Sequence, residues 1–228
     1  MRVVSWNANY NGRRYSFDTA LGMLEPLQPD IVVLCETAAP SAPDGSRVCR
    51  VGAEAPGLAV VALGEYELEA HLLNDGAPPL TAGFTVRGPR ELHLLAAWPV
   101  QRTGGATYHN VLTEALDRYE GFLTAGPAML IGDLNSSTRV TSQQQTHPQF
   151  VQRAEELGLR SLYHEQSGEA HGDELVPTYR HQNRAEQPFH IDHCFASADL
   201  RAGARLTVLD SDEWWGRSDH CPIVVEIP

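Results

Sequence analysis

Two short runs of the sequence are almost entirely apolar, and both are followed by carboxylates. Residues 30–35 read DIVVLC and lead directly to Glu36. Residues 128–131 read AMLI and lead into Gly132-Asp133-Leu134-Asn135-Ser136. Strands of this composition are typically buried on both faces. The two runs therefore predict a layered α/β protein whose buried strands carry polar side chains at their ends.

The remaining segments alternate between helical and extended patterns. Apolar residues at helical spacing, bounded by Pro or Gly, predict helices at 17–27, 111–123 and 147–157. Between residues 47 and 98, short runs separated by Gly and Pro predict a meander of antiparallel strands. Further strands are predicted at 2–6, 160–164, 177–180, 189–195, 206–209 and 223–225. No repeat or biased linker divides the chain, so one domain spanning residues 1–228 is expected.

Composition narrows the classes of function. A hydrophobic content of 42% is sufficient for a buried core, which excludes a disordered chain. The formal net charge of −12 opposes general attraction to nucleic acid, so a phosphate ligand would need cations recruited locally. Four scattered cysteines without a CxxC pair give no reason to expect structural zinc. The start of the chain lacks a signal-peptide pattern and no stretch is long enough to span a bilayer, so we expect a cytoplasmic protein without membrane or protein partners.

Near the end of the sequence, Ser218-Asp219-His220-Cys221-Pro222 precedes a final apolar strand. A carboxylate beside an imidazole can bind a metal, transfer a proton or hold a phosphate. Taken alone, an Asp-His dipeptide more often belongs to a solvated loop. Earlier in the chain, residues 189–195 alternate in polarity, which predicts that His190 and Asp192 share one face of a strand.

Seven polar residues from five segments follow or occupy predicted strand ends. They are Asn7, Glu36, Asp133, Asn135, Asp192, Asp219 and His220. Carboxylate and amide oxygens favour Mg²⁺ or Mn²⁺ over zinc. A divalent ion combined with an imidazole and a free carboxylate suits the hydrolysis of a phosphate ester.

The same segments resemble a known superfamily. Ser5-Trp6-Asn7, Cys35-Glu36-Thr37, residues 132–136, His190-Ile191-Asp192 and residues 218–222 resemble, in order, the motifs of endonuclease/exonuclease/phosphatase proteins. This superfamily includes deoxyribonuclease I and exonuclease III-like abasic-site endonucleases, and the chain looks most like its small bacterial members. The resemblance implies an αββα fold, a four-layer sandwich of two mainly antiparallel sheets flanked by helices.

The resemblance also implies a role for each matched residue. It makes Glu36 the principal ligand of Mg²⁺ or Mn²⁺ and Asp219 a second metal-associated carboxylate. It makes Asp133 the residue that activates water, with Asn135 as a phosphate donor. His220 would contact the phosphate, Asp192 would orient His220, and Asn7 would orient the site.

Two departures from the family pattern affect the predicted site. Many abasic-site endonucleases carry an Asp where this chain has Asn9, so Asn9 is expected to be a weaker metal ligand. The strand end that carries Tyr or His in relatives here reads Trp98-Pro99. We therefore consider Trp98 and His190 as substrate contacts, with packing the alternative for His190. Tyr108, His109 and Arg180 are candidates to replace the missing phosphate contact.

The resemblance favours a divalent-metal-dependent phosphodiester hydrolase, an endonuclease acting on nucleic acid. The alternative is a phosphatase or phosphodiesterase of a small phosphorylated molecule, which the net charge of −12 favours. A non-catalytic binding module would be expected to lack Glu36, Asp133 or His220. A basic groove built from Arg13, Arg14, Arg139 and Arg180 would support a polymeric substrate, whereas a closed acidic pocket would argue against one.

Overall fold

The β-branched and aliphatic runs form two six-stranded sheets in the computed structural model. The structure describes residues 1–41, 45–52, 55–73, 76–100 and 108–228, except for the side chain of His109. The strands of the first half are β1 (Arg2–Asn7), β2 (Ile31–Thr37), β3 (Val48–Val51), β4 (Gly57–Ala62), β5 (Glu67–His71), β6 (Thr81–Arg87) and β7 (Leu92–Ala97). Those of the second half are β8 (Ala128–Asp133), β9 (Arg160–Ser161), β10 (Tyr179–Arg180), β11 (Pro188–Phe189), β12 (Asp192–Ala196), β13 (Arg205–Val208) and β14 (Ile223–Glu226).

The first sheet has the order β13-β14-β1-β2-β4-β3, and the second has the order β5-β6-β7-β8-β12-β9. One pair in each sheet is parallel, β1 with β2 and β7 with β8, and the other pairs are antiparallel. Strands β10 and β11 form a separate ribbon. Each sheet therefore has a parallel pair at its centre, and the ends of these central strands lie beside the polar residues singled out above.

Seven α-helices among the described residues accompany the sheets. They are α1 (Tyr10–Arg13), α2 (Phe17–Leu24), α3 (Tyr108–Leu123), α4 (Thr146–Glu156), α5 (Leu162–Ser167), α6 (Ala198–Arg201) and α7 (Asp212–Arg217). Residues such as Val33, Leu58, Leu94 and Ile131 form one core between the sheets. A second core packs α3 and α4 on the outer face of the second sheet, and a third packs α2 and α7 on the first. The layers are therefore helix, sheet, sheet, helix.

Strand register brings the polar strand ends together. Asn7 lies opposite Cys35 in the parallel pair of β1 and β2, so Asn7 and Glu36 end neighbouring strands. Asp133 at the end of β8 lies opposite Asp192 at the start of β12. Gly132 is required where β8 passes beside the end of β7, because its φ is 153° and an added Cβ would lie 1.9 Å from the Ala97 carbonyl oxygen.

Three predictions of local structure are corrected. The strands between residues 47 and 98 do not form one meander, because β3 and β4 pair in the first sheet and β5 to β7 in the second. Residues 160–164 form only a two-residue strand before α5 begins at Leu162. The extended run at 189–195 is interrupted at His190 and Ile191, and β12 begins at Asp192.

No helix in the described ranges combines the length and the apolar character needed to cross a membrane.

Candidate active site

Asp133 lies at the centre of a buried hydrogen-bond network. Asn7 donates from Nδ2 to Asp133 Oδ2 at 2.8 Å, and the backbone amide of Asn135 donates to Asp133 Oδ1 at 3.0 Å. The Asn135 side chain also donates to the Pro99 carbonyl oxygen at 3.1 Å. Asn135 has a left-handed backbone with φ of 50°, a conformation that Asn tolerates better than most residues. These bonds fix both carboxylate oxygens of Asp133 in a defined orientation.

Asp192 and His220 form the second part of the network. His220 Nδ1 lies 2.8 Å from Asp192 Oδ2, and its Nε2 lies 3.9 Å from Asp133 Oδ2. The Asp192 backbone amide donates to Thr178 Oγ1 at 3.0 Å. Trp6 donates from Nε1 to the His220 carbonyl oxygen, also at 3.0 Å. The imidazole is therefore anchored on one nitrogen, and its other nitrogen is directed toward Asp133.

Burial and charge set the protonation states of these groups. Burial opposes a charge on His220, but Asp192 and Asp133 outweigh it and raise the His220 pKa to about 10. Burial raises the pKa of Asp133 to about 7, although His220 opposes the shift. A charged imidazolium thus lies beside a carboxyl group whose pKa is close to neutral pH.

Glu36 extends the cluster toward solvent. It lies where the register of β2 against β4 shifts, and its φ of 47° is a strained conformation for a non-glycine residue. Its Oε1 accepts a long hydrogen bond, 3.3 Å, from the Asn11 amide. Burial, together with nearby Asp219, raises the Glu36 pKa. Two partly buried carboxylates whose charges oppose each other in this way are suited to binding a cation.

The donor set fits a hard divalent cation. The cluster contains one imidazole, His220, and four carboxylates, Glu36, Asp133, Asp192 and Asp219. The charges of these carboxylates shift the pKa of His220 or of one another. Ligand atoms of Asp133, Asp192 and His220 lie within 4.8 Å of one another, but Asp192 Oδ2 and His220 Nδ1 are hydrogen-bonded to each other, which leaves Asp192 Oδ1 without a partner among the described residues. Glu36 with Asp219 is the better candidate, because both are only partly buried and carry oxygen ligands. Asn9 is not, because its Oδ1 caps α1 by accepting from the Gly12 amide at 2.9 Å.

Two tyrosines line a cleft of about 350 Å³ beside this cluster. Tyr108, Asn135 and Tyr179 line it together with Val140, Gln143, His181, Gln187, Phe189 and Ile191. Burial and Asp133 raise the pKa of Tyr108, and burial with Asp219 raises that of Tyr179 to about 12, so both phenols are hydrogen-bond donors at neutral pH. The Tyr179 ring centroid lies 4.5 Å from that of His220. Tyr108 therefore lines the cleft beside Asn135, and its contact with a phosphate stays a prediction.

Three other predicted substrate contacts are corrected. Trp98 is only 6% exposed and packs in the core between the sheets. His190 faces away from His220, because strand alternation does not extend through the interruption before β12, and its Nδ1 contacts the Val176 carbonyl oxygen. The Arg180 guanidinium stacks on Trp215 at 4.0 Å and lies 3.9 Å from Asp210. The side chain of His109 lies outside the described part of the structure.

Sequence reasoning did not assign roles to Thr178 and Tyr179. Thr178 Oγ1 accepts hydrogen bonds from both the Ile191 and Asp192 amides, and Tyr179 forms a β-bridge with His220. The available signal was the extended Pro-Thr-Tyr-Arg segment at 177–180, whose pairing partner could not be identified from sequence. A larger cavity of about 700 Å³ opens beside edge strands β3 and β5 and is lined by none of the clustered carboxylates.

Solved structures share this architecture over the whole chain. The 3′ phosphatase NExo from Neisseria, bound to a product DNA hairpin, aligns with a TM-score of 0.75 and 18% identity, covering 100% of this chain and 99% of that one. An AP endonuclease from Archaeoglobus fulgidus aligns with a TM-score of 0.74 and 16% identity over the same shares. The chain has the endonuclease/exonuclease/phosphatase fold. The endonuclease domain of TRAS1, a telomere-specific non-LTR retrotransposon, also aligns, with a TM-score of 0.68, 20% identity and coverage of 99% and 97%.

No family model matches the chain, and no curated protein matches its sequence. The fold therefore rests on structural similarity, which confirms the predicted arrangement of two sheets flanked by helices. Within this fold, the network around Asp133 and His220 lies where strands of both sheets end, since Asn7 belongs to the first sheet and Asp133 to the second.

Proposed function

We propose that this protein is a divalent-metal-dependent phosphodiester hydrolase that acts on nucleic acid. The observation that carries the proposal is the continuous buried network from Asn7 through Asp133 to His220 and Asp192, with Glu36 and Asp219 beside it. A non-catalytic module would gain nothing from burying this many carboxylates, because such burial costs stability.

Asp133 is the proposed general base. The raised pKa, about 7, allows the carboxylate to accept a proton from water near neutral pH. Asn7 and the Asn135 amide hold its two oxygens, so the direction of proton transfer is fixed before substrate binds.

His220 is the proposed phosphate-binding cation. Because Asp192 holds Nδ1, the proton on Nε2 is available to a phosphoryl oxygen. Asp192 itself is a positioning residue, since it acts on the substrate only through His220. Tyr108 and Tyr179 are proposed as additional neutral donors to the phosphate.

Glu36 and Asp219 would hold Mg²⁺ or Mn²⁺. When bound, such an ion neutralises phosphate charge and lowers the cost of bringing a polyanion to this acidic cluster. The strain at Glu36 and the repulsion between the two carboxylates support a ligand role for Glu36.

Nucleic acid is favoured over a small phosphate ester by the border of the cleft and by the aligned structures. Arg13 and Arg14 are exposed on the segment whose Asn11 amide contacts Glu36. Val140, His181 and Gln187 line the cleft. Exposed Arg139 precedes Val140 in the chain, and exposed Arg184 lies between His181 and Gln187 in the sequence. Local arginines offset the overall charge of −12, and Arg binds phosphate in bidentate geometry. The Neisseria and Archaeoglobus fulgidus proteins are a DNA-bound 3′ phosphatase and an AP endonuclease.

The proposal is tested by incubating the protein with plasmid DNA and, in parallel, with a small phosphodiester, in Mg²⁺, Mn²⁺ or EDTA. We expect metal-dependent cleavage of DNA that falls at least 10²-fold in His220→Ala and is unchanged in His71→Asn, a histidine on edge strand β5. If only the small ester is hydrolysed, the proposed substrate changes from nucleic acid to a small phosphodiester. Absence of hydrolysis of both in every metal would contradict the proposed activity.

A further inference from the structure

Five of the ten histidines gather on the other side of β12 from the proposed active site. Asp192 and His193 are consecutive strand residues, so their side chains point to opposite faces, Asp192 toward His220 and His193 toward the group. We call this group the histidine pocket; it comprises His147, His164, His171, His190, His193 and Glu174.

The donor atoms of the pocket lie at the spacing of a metal site. One ligand atom from each of His164, His171 and Glu174 lies within 4.8 Å of the other two. His164 Nε2 is 3.0 Å from Glu174 Oε1, and His147 Nε2 is 3.0 Å from His171 Nδ1. The rings of His164 and His171 stack with centroids 3.5 Å apart. Six side chains able to bind a metal therefore converge within one small volume.

Several of the metal-binding atoms in this pocket are buried without a hydrogen-bond partner. Glu174 Oε2, His190 Nε2 and His193 Nδ1 have no hydrogen-bond partner among the described residues. All three side chains belong to residues more than nine-tenths buried, Glu174 at 7% exposure, His190 at 2% and His193 at 1%. Because unpaired buried polar atoms cost stability, three in one pocket indicate that a bound species satisfies them.

The chemical state of the pocket suits a cation. Burial, reinforced by the rings of His164 and His147, lowers the pKa of His171 to about 3, so its nitrogens are neutral and able to bind a metal. Hydrogen bonds from His164 and the Gly172 amide outweigh burial and lower the pKa of Glu174 to about 2, so it carries a negative charge. Imidazole with one carboxylate is a common zinc donor set, unlike the oxygen ligands around Glu36.

We infer that His164, His171 and Glu174 bind one transition-metal ion of the zinc class, with His190 or His193 as the fourth ligand. The expectation of no structural zinc rested on cysteine spacing, and histidine ligands fall outside that criterion.

The position of the pocket gives the ion a structural role. His193 Nε2 contacts the Ser136 carbonyl oxygen at 2.9 Å, and Ser136 Oγ lies 2.7 Å from His147 Nδ1. Ser136 follows Asn135, so the pocket supports the loop that carries Asp133 and Asn135. A metal bound here would couple the segment 164–174 to this loop and stabilise the arrangement of both.

The test measures the zinc content of the full-length protein after dialysis, by elemental analysis. We expect about one zinc per chain in the wild type and in Glu36→Gln, which removes the proposed active-site ligand. Glu174→Gln and His171→Asn should retain less than one tenth of that amount, whereas the matched control His71→Asn should retain all of it.

A second measurement covers the case in which the pocket variants fail to fold. Wild-type protein stripped with a strong chelator is titrated with Co²⁺ and then with Zn²⁺. We expect visible absorption of tetrahedral Co²⁺, its displacement by Zn²⁺, and a rise in melting temperature on adding Zn²⁺. Folded, stripped protein that takes up neither ion and melts at the same temperature with and without Zn²⁺ would overturn the inference, whatever its nuclease activity.

Discussion

Replacing Asp192 by Asn tests whether the charge of Asp192 keeps His220 protonated. The substitution is nearly isosteric, and the backbone amide can keep its hydrogen bond to Thr178 Oγ1. It removes the negative charge 2.8 Å from His220 Nδ1, the largest of the effects that raise the His220 pKa. The rise from 6.5 to about 10 corresponds to about 5 kcal/mol favouring the charged form, to which Asp133 also contributes.

The magnitude of the kinetic effect follows from this pKa. Without Asp192, burial still opposes the charge and only Asp133 and Asp219 still favour it, so the His220 pKa falls toward its ordinary value of about 6.5, which we take as the limit of the effect. Only about one molecule in thirty is then protonated at pH 8. Loss of orientation adds to this, so we expect kcat/KM to fall about 10²-fold at pH 8 and by less at pH 6.

The assay is the pH profile of kcat/KM on DNA for Asp192→Asn and the wild type, from pH 6 to 9. The exposed carboxylate Asp199 on α6 provides the control variant Asp199→Asn, which should follow the wild-type profile. A loss in Asp192→Asn that is equal at all pH values would refute the argument from charge, and an unchanged rate would refute any role for the pair.

Three further predictions concern the network and the pocket. Asn7→Ala removes a 2.8 Å hydrogen bond to the buried Asp133 carboxylate, so denaturant unfolding should show a loss of about 1–3 kcal/mol, together with slower DNA cleavage; unchanged values in both would contradict the network. Tyr108→Phe should lower kcat/KM on DNA by about tenfold without changing the melting temperature, because it removes one donor lining the cleft; an unchanged rate would exclude that contact. The pKa of His171 is lowered to about 3, so the unfolded chain binds more protons below pH 6.5 and this histidine contributes stability that is lost as pH falls. With chelator present, the free energy of unfolding should therefore fall less steeply between pH 6 and 4 in His171→Asn than in the wild type. The two slopes should differ by about 1.4 kcal/mol per pH unit, and parallel curves of stability against pH would contradict the lowered His171 pKa.

The buried strands and the polar residues at their ends could be predicted because burial and chemistry coincide in the sequence. An apolar strand followed by Glu36, or by Gly132 and Asp133, indicates both a strand buried on two faces and a functional end. Packing of one sheet on the other then brings Asn7 and Asp133 together, and no local pattern specifies this contact.

The incorrect predictions concern residues whose side-chain direction is determined by tertiary packing. Alternation predicted that His190 shares a face with Asp192, but the strand begins only at Asp192, so His190 joins the histidine pocket. Trp98 follows a strand end yet is enclosed by the core between the sheets. Histidines separated by up to 46 positions, from His147 to His193, meet only after folding, so their spacing gave no recognisable motif.

The central claim is that a divalent ion held at Glu36 is required for hydrolysis beside Asp133 and His220. Its most direct test is the rate of DNA cleavage as a function of Mg²⁺ concentration, for the wild type and Glu36→Gln. The account predicts no cleavage in EDTA, saturation by Mg²⁺ in the wild type, and a requirement for at least tenfold more Mg²⁺ in the variant, because the variant lacks one of two carboxylate ligands. Cleavage that persists in EDTA, or identical Mg²⁺ dependence in the two proteins, would contradict it.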